Sequence, residues 1–313
     1  MRSFGVVLVG LLRLLASTIL HPNSAWSATI RDDQPDSNYL DLAGSLDYAP
    51  VGKFVNSWGY TGSATLIAPD WVLTAAHSLI AASAATFTIN GNSYASTELF
   101  LNPGWQNGHP LCGYDFGLVH LSTPVAGIAP ATLYNGSSEF GQTATFVGFG
   151  FTGTGLTGYR TLDQRKRAFQ NIIDGDFGNP SVLLGSDFDN PHSTADNAFG
   201  DAMPLRLEGS VAPGDSGGGV FLTIDSQTYL AGVISFVAAT DGSGNSDYGD
   251  VNGFGRVSAF TPWIISTIPE PSVSSLLAGS GLGLLCWGLF RKAVRPLRRH
   301  CCGTPPFPEG QAA

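Results

Sequence analysis

Gly214-Asp215-Ser216-Gly217-Gly218 is the stretch whose reading decides the fold, because Thr74-Ala75-Ala76-His77 and Asp115-Phe116-Gly117-Leu118 precede it in that order. A serine hydroxyl is a weak nucleophile at neutral pH and needs an imidazole to take its proton. The imidazole needs a buried carboxylate to fix its tautomer and stabilise the cation that forms. His77, Asp115 and Ser216 supply these three groups. Glycine at 214 and 217 lets the chain turn tightly around Ser216, so that the N–H groups of Gly214 and Ser216 can meet the oxyanion of a tetrahedral intermediate. Read singly, each motif is ordinary. A Gly-Asp-Ser-Gly-Gly string can be a polar turn, and Asp115 can simply begin the apolar strand that runs to Leu121. In this order and with these neighbours, the three point to one nucleophilic site. His109 and His120 read as surface or core histidines.

The order and the flanking residues resemble the trypsin/chymotrypsin-like (S1) family of serine peptidases. Ala64 to Leu73 is similar to the strand pair that leads to the family's histidine. Gly232-Val233-Ile234-Ser235-Phe236 is similar to the strand beside bound substrate. Gly255-Arg256-Val257-Ser258 with Trp263-Ile264-Ile265 is similar to the last strand and C-terminal helix. The resemblance covers Ile30 to Thr267 and finds no counterpart between Thr161 and Leu205. It implies an all-β fold of two packed six-stranded antiparallel β-barrels with a short C-terminal helix. His77 and Asp115 would belong to the first barrel and Ser216 to the second, with the cleft between them.

The same resemblance implies a serine endopeptidase that hydrolyses peptide or protein substrates through an acyl-enzyme, without metal or organic cofactor. Ser210 falls at the base of the primary specificity pocket, and Ser235, Phe236 and Val237 fall along bound substrate. Ser210 offers no charge to balance a buried Arg or Lys, and Val237 narrows the wall. The expected preference is therefore for uncharged, small-to-medium apolar residues, with Asn252 near the other wall. Asp215 would pair with an α-amino group supplied by leader removal, with or without trimming of Ala28 and Thr29, and Ile30 would be its apolar anchor. The residues that usually form a disulfide beside the histidine are Ser78 and Gly62 here, so that bridge is missing. A different class stays open: an inactive peptidase-like domain serving as a surface binding or adhesion module.

The ends of the chain carry their own signals. Residues 1–27 read as a secretory leader: Arg2, an apolar stretch from Gly5 to Leu20, and Ala25-Trp26-Ser27 as the cleavage site. An apolar run from Val273 to Phe290 is long enough to span a bilayer as a transmembrane helix. Arg291, Lys292, Arg295, Arg298 and Arg299 follow it and would lie in the cytoplasm. With Pro269-Glu270-Pro271-Ser272 ahead of it, the segment 268–299 resembles the PEP-CTERM sorting signal of Gram-negative bacteria. That resemblance implies an exosortase-like processing enzyme as partner, and 300–313 as a cytoplasmic tail. The alternative is a plain membrane anchor behind a stiff Pro-rich linker. The peptidase domain is then 28–267, expected as a monomer, exported to the cell surface or beyond.

Composition agrees with export. The chain has 15 Lys and Arg against 24 Asp and Glu. Two basic residues precede Ala28, and five basic and one acidic follow Phe290, which leaves 8 against 23 and a net charge of −15 between them. Such an acidic domain is a poor nucleic-acid partner. Cys112 is the only cysteine between Ala28 and Leu285 and is expected to be small and buried. Between the ends the texture is all-β, with Asn90-Gly91 a hairpin signal. The glycine-rich run Thr152 to Gly158 lacks the Lys-Ser/Thr of a phosphate loop and reads as a flexible loop. Asp241 to Asp247 is polar enough to hold calcium but lacks the EF-hand pattern, and no metal is expected there.

Overall fold

Short runs of β-branched and aromatic residues, punctuated by Gly, Asn and Pro, fold into antiparallel strands. The computed structural model describes residues 28–269, except 177, 180, 201 and 202. The expected leader, apolar span and basic tail lie outside the described residues. Among the described residues no helix is long and apolar enough to cross a membrane.

Six strands close the first barrel: β1 (Val51–Asn56), β2 (Thr61–Ala68), β3 (Trp71–Thr74), β4 (Ala85–Ile89), β5 (Asn92–Leu101) and β6 (Gly117–Leu121), in the order β1-β2-β3-β6-β5-β4. Inward residues Phe54, Leu66, Val72, Leu79, Phe87 and Val119 fill it. Asn90 and Gly91 both take positive φ, 47° and 76°, which is the turn that matches strand twist and joins β4 to β5.

The second lobe has β7 (Thr143–Gly148), β8 (Arg167–Ile172), β9 (Leu183–Asp187), β10 (Gly219–Ile224), β11 (Gln227–Ala238) and β12 (Val251–Arg256). They pair in the order β8-β7-β10-β11-β12-β9, antiparallel throughout. This sheet is barrel-like, as expected, but among the described residues its pairing path does not close into a ring as the first one does. The outer edge of β9 is already taken by Gly175–Asp176, paired with Gly185 and Leu184. The Asn171 side chain of β8 donates to the Asp187 carbonyl instead of a backbone ladder forming there. Phe146 stacks on Phe169 with centroids 4.8 Å apart and meets Phe254 edge-on at 5.1 Å. Burying such rings contributes about 2 kcal/mol each.

Three further pieces complete this lobe. The short strand Thr29–Ile30 lies between Phe151–Thr154 and Gly209–Ser210. Helix α1 (Asp36–Ala43) follows Pro35 and buries Tyr39 and Ala43. It was not foreseen, since its short, mostly polar sequence lacks a full helical repeat. The fully buried Arg167 holds it, reaching Asp36 at 2.6 Å and Asp163 at 2.7 Å. Helix α2 (Val257–Thr267) closes the domain where the sequence indicated a C-terminal helix. The stretch from Thr161 to Leu205 therefore supplies β8 and β9 of the second sheet. Cys112, expected to be buried, is exposed in a one-turn helix on a surface loop. Gly62 and Ser78 do come together: a Cβ on Gly62 would lie 3.7 Å from Ser78 Oγ.

Candidate active site

β3 ends at Thr74, and the chain turns through Ala75 and Ala76, both with no exposed surface. Only small side chains fit there, and the turn leads into one helical turn, Ala76–Leu79, that carries His77. Asp115 stands just before β6 and is buried. His77 N–H donates to Asp115 Oδ1 at 2.9 Å, and Nδ1 lies 2.7 Å from Oδ2. Ser235, in β11 of the other lobe, donates its hydroxyl to the same Oδ2 at 2.5 Å. Burial opposes the Asp115 carboxylate, but His77 and these hydrogen bonds outweigh it and hold its pKa below the ordinary value. Burial likewise opposes the His77 cation, and the adjacent Asp115 charge outweighs it, raising the imidazole's pKa. The Nδ1 proton thus belongs on the Asp115 side, which leaves Nε2 as the base.

Nε2 faces the Tyr60 hydroxyl at 3.4 Å, with the rings edge-on. Among the described residues no hydrogen bond joins Ser216 Oγ to His77. Such contacts are commonly long in substrate-free sites and tighten on binding.

The turn around Ser216 is pinned by its other groups. Asp215 N–H donates to the Ala212 carbonyl at 3.0 Å, Gly217 N–H to Ile234 at 2.8 Å, and Gly218 N–H to Asp215 at 2.7 Å. The Ser216 carbonyl accepts Ser63 N–H at 2.9 Å. Among the described residues the N–H groups of Gly214 and Ser216 take part in no hydrogen bond. Gly217 has φ 83°, and a Cβ there would collide with Thr74 Oγ1, so glycine is required on both counts. Ser63 Oγ donates to the Gly214 carbonyl at 2.9 Å and accepts Phe149 N–H at 3.0 Å, tying β2 to the nucleophile turn. Neither Ser63 nor Tyr60 is marked by any sequence motif; only their place next to the histidine strand pair could have suggested them.

Ser210 is buried but does not line the cavity beside Ser216. Its hydroxyl donates to Asn252 Oδ1 at 2.8 Å, the same oxygen accepts Val211 N–H at 2.7 Å, and Asn252 Nδ2 reaches Ser186 Oγ at 3.1 Å. This network satisfies the buried Ser210 hydroxyl through Asn252. The cavity itself has about 200 Å³ and is lined by Val211, Ala212, Pro213, Ser216, Ile234, Ser235, Phe236 and Val237. No charged side chain lines it.

Asp215 is buried beneath the turn, its Oδ2 accepting Ala212 N–H at 2.9 Å and its Oδ1 accepting Gly150 N–H at 3.4 Å. Ile30, expected as the anchor of its partner amine, pairs with Gly209 and Thr154, while Thr29 pairs with Ser210. Ala28, just ahead of this strand, is buried, and the strand's antiparallel direction, carried one residue further, would point it toward Val211 and the Ala212 that Asp215 holds.

Comparison with known proteins agrees with this architecture. The Trypsin family model matches residues 48–264. The chain is 30% identical over 244 residues to chymotrypsin-like elastase family member 1 of Macaca fascicularis, covering 72% of this chain and 83% of that protein. It is 29% identical over 249 residues to human chymotrypsin-like elastase family member 3B, with the same coverage. Among solved structures it is similar to neuropsin, a serine protease expressed in the limbic system of mouse brain. The TM-score is 0.54 at 15% identity, covering 72% of this chain and 97% of that one. At that identity the likeness is one of fold.

Proposed function

The chain belongs to the trypsin family, and on that premise we propose that it is an exported serine endopeptidase that cuts after uncharged, small-to-medium apolar residues. Ser216 Oγ attacks the scissile carbonyl while His77 Nε2 takes its proton. Asp115 keeps the other imidazole proton on Nδ1 and stabilises the cation. The N–H groups of Gly214 and Ser216 receive the oxyanion. His77 then protonates the leaving amine, an acyl-enzyme on Ser216 remains, and a water activated by the same imidazole releases it. The observation that carries this reading is the His77 Nδ1 to Asp115 Oδ2 contact of 2.7 Å, shared with Ser235 from the opposite lobe.

The small uncharged cavity supports the specificity, since a buried Arg or Lys would find no counter-charge there. The elastase names of the relatives fit the same preference. For activation, the strand register favours the α-amino group of Ala28 itself as the partner of Asp215, with no trimming to Ile30. Cleavage after Ser27 would create that amine, so leader removal and activation become one step. The mature enzyme then runs from Ala28 to about Pro271 as a monomer at the cell surface, released from the 268–299 signal by an exosortase-like enzyme.

A fluorophosphonate probe tests the central reading. The folded wild-type domain should label on Ser216 and hydrolyse peptides, and Ser216→Ala should abolish both without loss of fold. A folded wild-type domain that fails to label moves the assignment to a binding module. Intact-mass analysis tests the ends: a surface form still carrying Arg291 to Ala313 removes the sorting-signal reading.

A further inference from the structure

The loop between β11 and β12 carries chemistry that the peptidase reading does not use. Asp241, Asp247 and Asp250 each present a carboxylate oxygen, and the three oxygens lie within 4.8 Å of one another. Among the described residues no Lys, Arg or His forms an ion pair with any of them. Asp250 has no exposed surface. Its donors are two backbone groups, Thr240 N–H at 3.3 Å and Ser246 N–H at 2.8 Å. A buried carboxylate beside two others, with no cation to balance it, is an expensive arrangement.

A second, independent observation points to a ligand. Asn245 Oδ1 and Ser246 Oγ are buried and have no hydrogen-bond partner among the described residues. Asn245 Nδ2 sits 2.9 Å from Asp247 Oδ2, and the fixed geometry of an amide then keeps Oδ1 within ~5 Å of that carboxylate. Ser246 has no exposed surface, and its N–H is held on Asp250 Oδ2. Its hydroxyl therefore lies within ~6 Å of the Asp250 carboxylate. Asn245 Oδ1 can only accept, as can ionised carboxylates, so these oxygens cannot satisfy one another. A cation satisfies them together.

Every candidate ligand is a hard oxygen, with no nitrogen or sulfur among them. Calcium takes six to eight such oxygens at about 2.3–2.6 Å, so two ligands on opposite sides of the ion stand ~4.8 Å apart. The spread of the three carboxylates fits inside that limit. We propose that Asp241, Asp247 and Asp250, with Asn245 and Ser246, form a calcium site, with water completing the shell.

The place of the site gives it a consequence. Its loop begins just after Val237, which lines the cavity beside Ser216, and ends just before Asn252, which holds Ser210 and the cavity-lining Val211. The Ser246 carbonyl also accepts the Thr29 hydroxyl of the N-terminal strand. An ion here stiffens the pocket wall and the N-terminal strand through one loop.

The test reads binding without turnover. Mature Ser216→Ala chain is titrated with CaCl2 by calorimetry, and its unfolding temperature is compared in calcium and in EGTA. One ion should bind with Kd of ~10⁻⁴ to 10⁻³ M or tighter, and Tm should rise by several degrees. Asp247→Asn should weaken binding at least ~10-fold, which the loss of one anionic ligand predicts. Asp241→Asn, at an exposed position that does not threaten folding, should also weaken it. No heat of binding and no Tm change up to ~10 mM calcium, the weak end of known protein sites and beyond, overturns the proposal. So does an equal response to magnesium at matched ionic strength, or an unchanged response in both variants. Because an inactive chain is used, these results stand apart from whether the wild type is a peptidase.

Discussion

Ser235 donates its hydroxyl to Asp115 Oδ2 at 2.5 Å, so the carboxylate that orients His77 is itself held by a strand of the other lobe. The hydroxyl satisfies an oxygen that would otherwise be shared only with His77 Nδ1. Ser235→Ala should lower kcat about 10-fold, as expected for one lost hydrogen bond to a charged group, with KM little changed. Steady-state kinetics on a peptide substrate decide it; an unchanged kcat removes Ser235 from the positioning role.

The pH response follows from the His77 and Asp115 pair. Asp115 holds the His77 pKa above its ordinary value, and catalysis needs the neutral imidazole. Activity should therefore rise with pH along a limb centred above ~6.5, the unperturbed value. Stability runs the other way for this group. The favourable interaction of the imidazolium is fully present below the unfolded pKa of ~6.5 and is lost as pH rises through the folded value. Asp115→Asn should lower kcat by about 10⁴ and move His77 titration downward, seen in the imidazole NMR signals. A His77 titration unmoved by this change contradicts the pairing.

Tyr60 faces the nitrogen that the proposed mechanism uses to take the Ser216 proton. Its hydroxyl lies 3.4 Å from Nε2, and that contact adds to the raised pKa of His77. Tyr60→Phe should leave Nε2 open to Ser216 and speed fluorophosphonate labelling by about 3- to 10-fold, the worth of one ordinary hydrogen bond. Labelling slower than wild type would instead make Tyr60 a support for the imidazole.

Val237 sets the reach of the cavity. Val237→Gly removes the isopropyl group that lines a space of about 200 Å³. It should raise kcat/KM for substrates with Phe relative to Ala at the cleavage site by roughly 10- to 100-fold, the usual scale for a few methylenes of pocket volume. A library profile that does not shift toward larger side chains contradicts the assignment of this wall.

Gly62 and Ser78 offer a cross-link the chain lacks. A Cβ on Gly62 would lie 3.7 Å from Ser78 Oγ, which brings the two side chains within reach of each other. The double variant Gly62→Cys/Ser78→Cys should close a short loop and add about 3 kcal/mol, or about 5–10 °C in Tm, reversed by a thiol reductant. A Tm indifferent to reductant shows that the bridge does not form.

The sequence by itself determined the parts that depend on local chemistry and order. His77, Asp115 and Ser216 stand in motifs whose neighbours are dictated locally: small Ala75 and Ala76 before the histidine, and Gly217 where only glycine fits after the serine. The all-β texture and the Asn90-Gly91 turn were legible for the same reason, since strand periodicity and left-handed turns are written in adjacent residues. Tertiary structure alone decided what depends on residues distant in the chain. It tied Ser210 to Asn252, 42 positions away, and lined the cavity beside Ser216 with Val211 and Val237. It set Tyr60 against His77 and Ser235 against Asp115, placed Gly175–Asp176 on the β9 edge, and paired Thr29 and Ile30 with Ser210 and Gly209. It also buried Asp250 beside Asp241 and Asp247, with Asn245 and Ser246 oxygens unpartnered. Burial and hydrogen-bond satisfaction belong to the packed chain, and no window of neighbouring residues contains them.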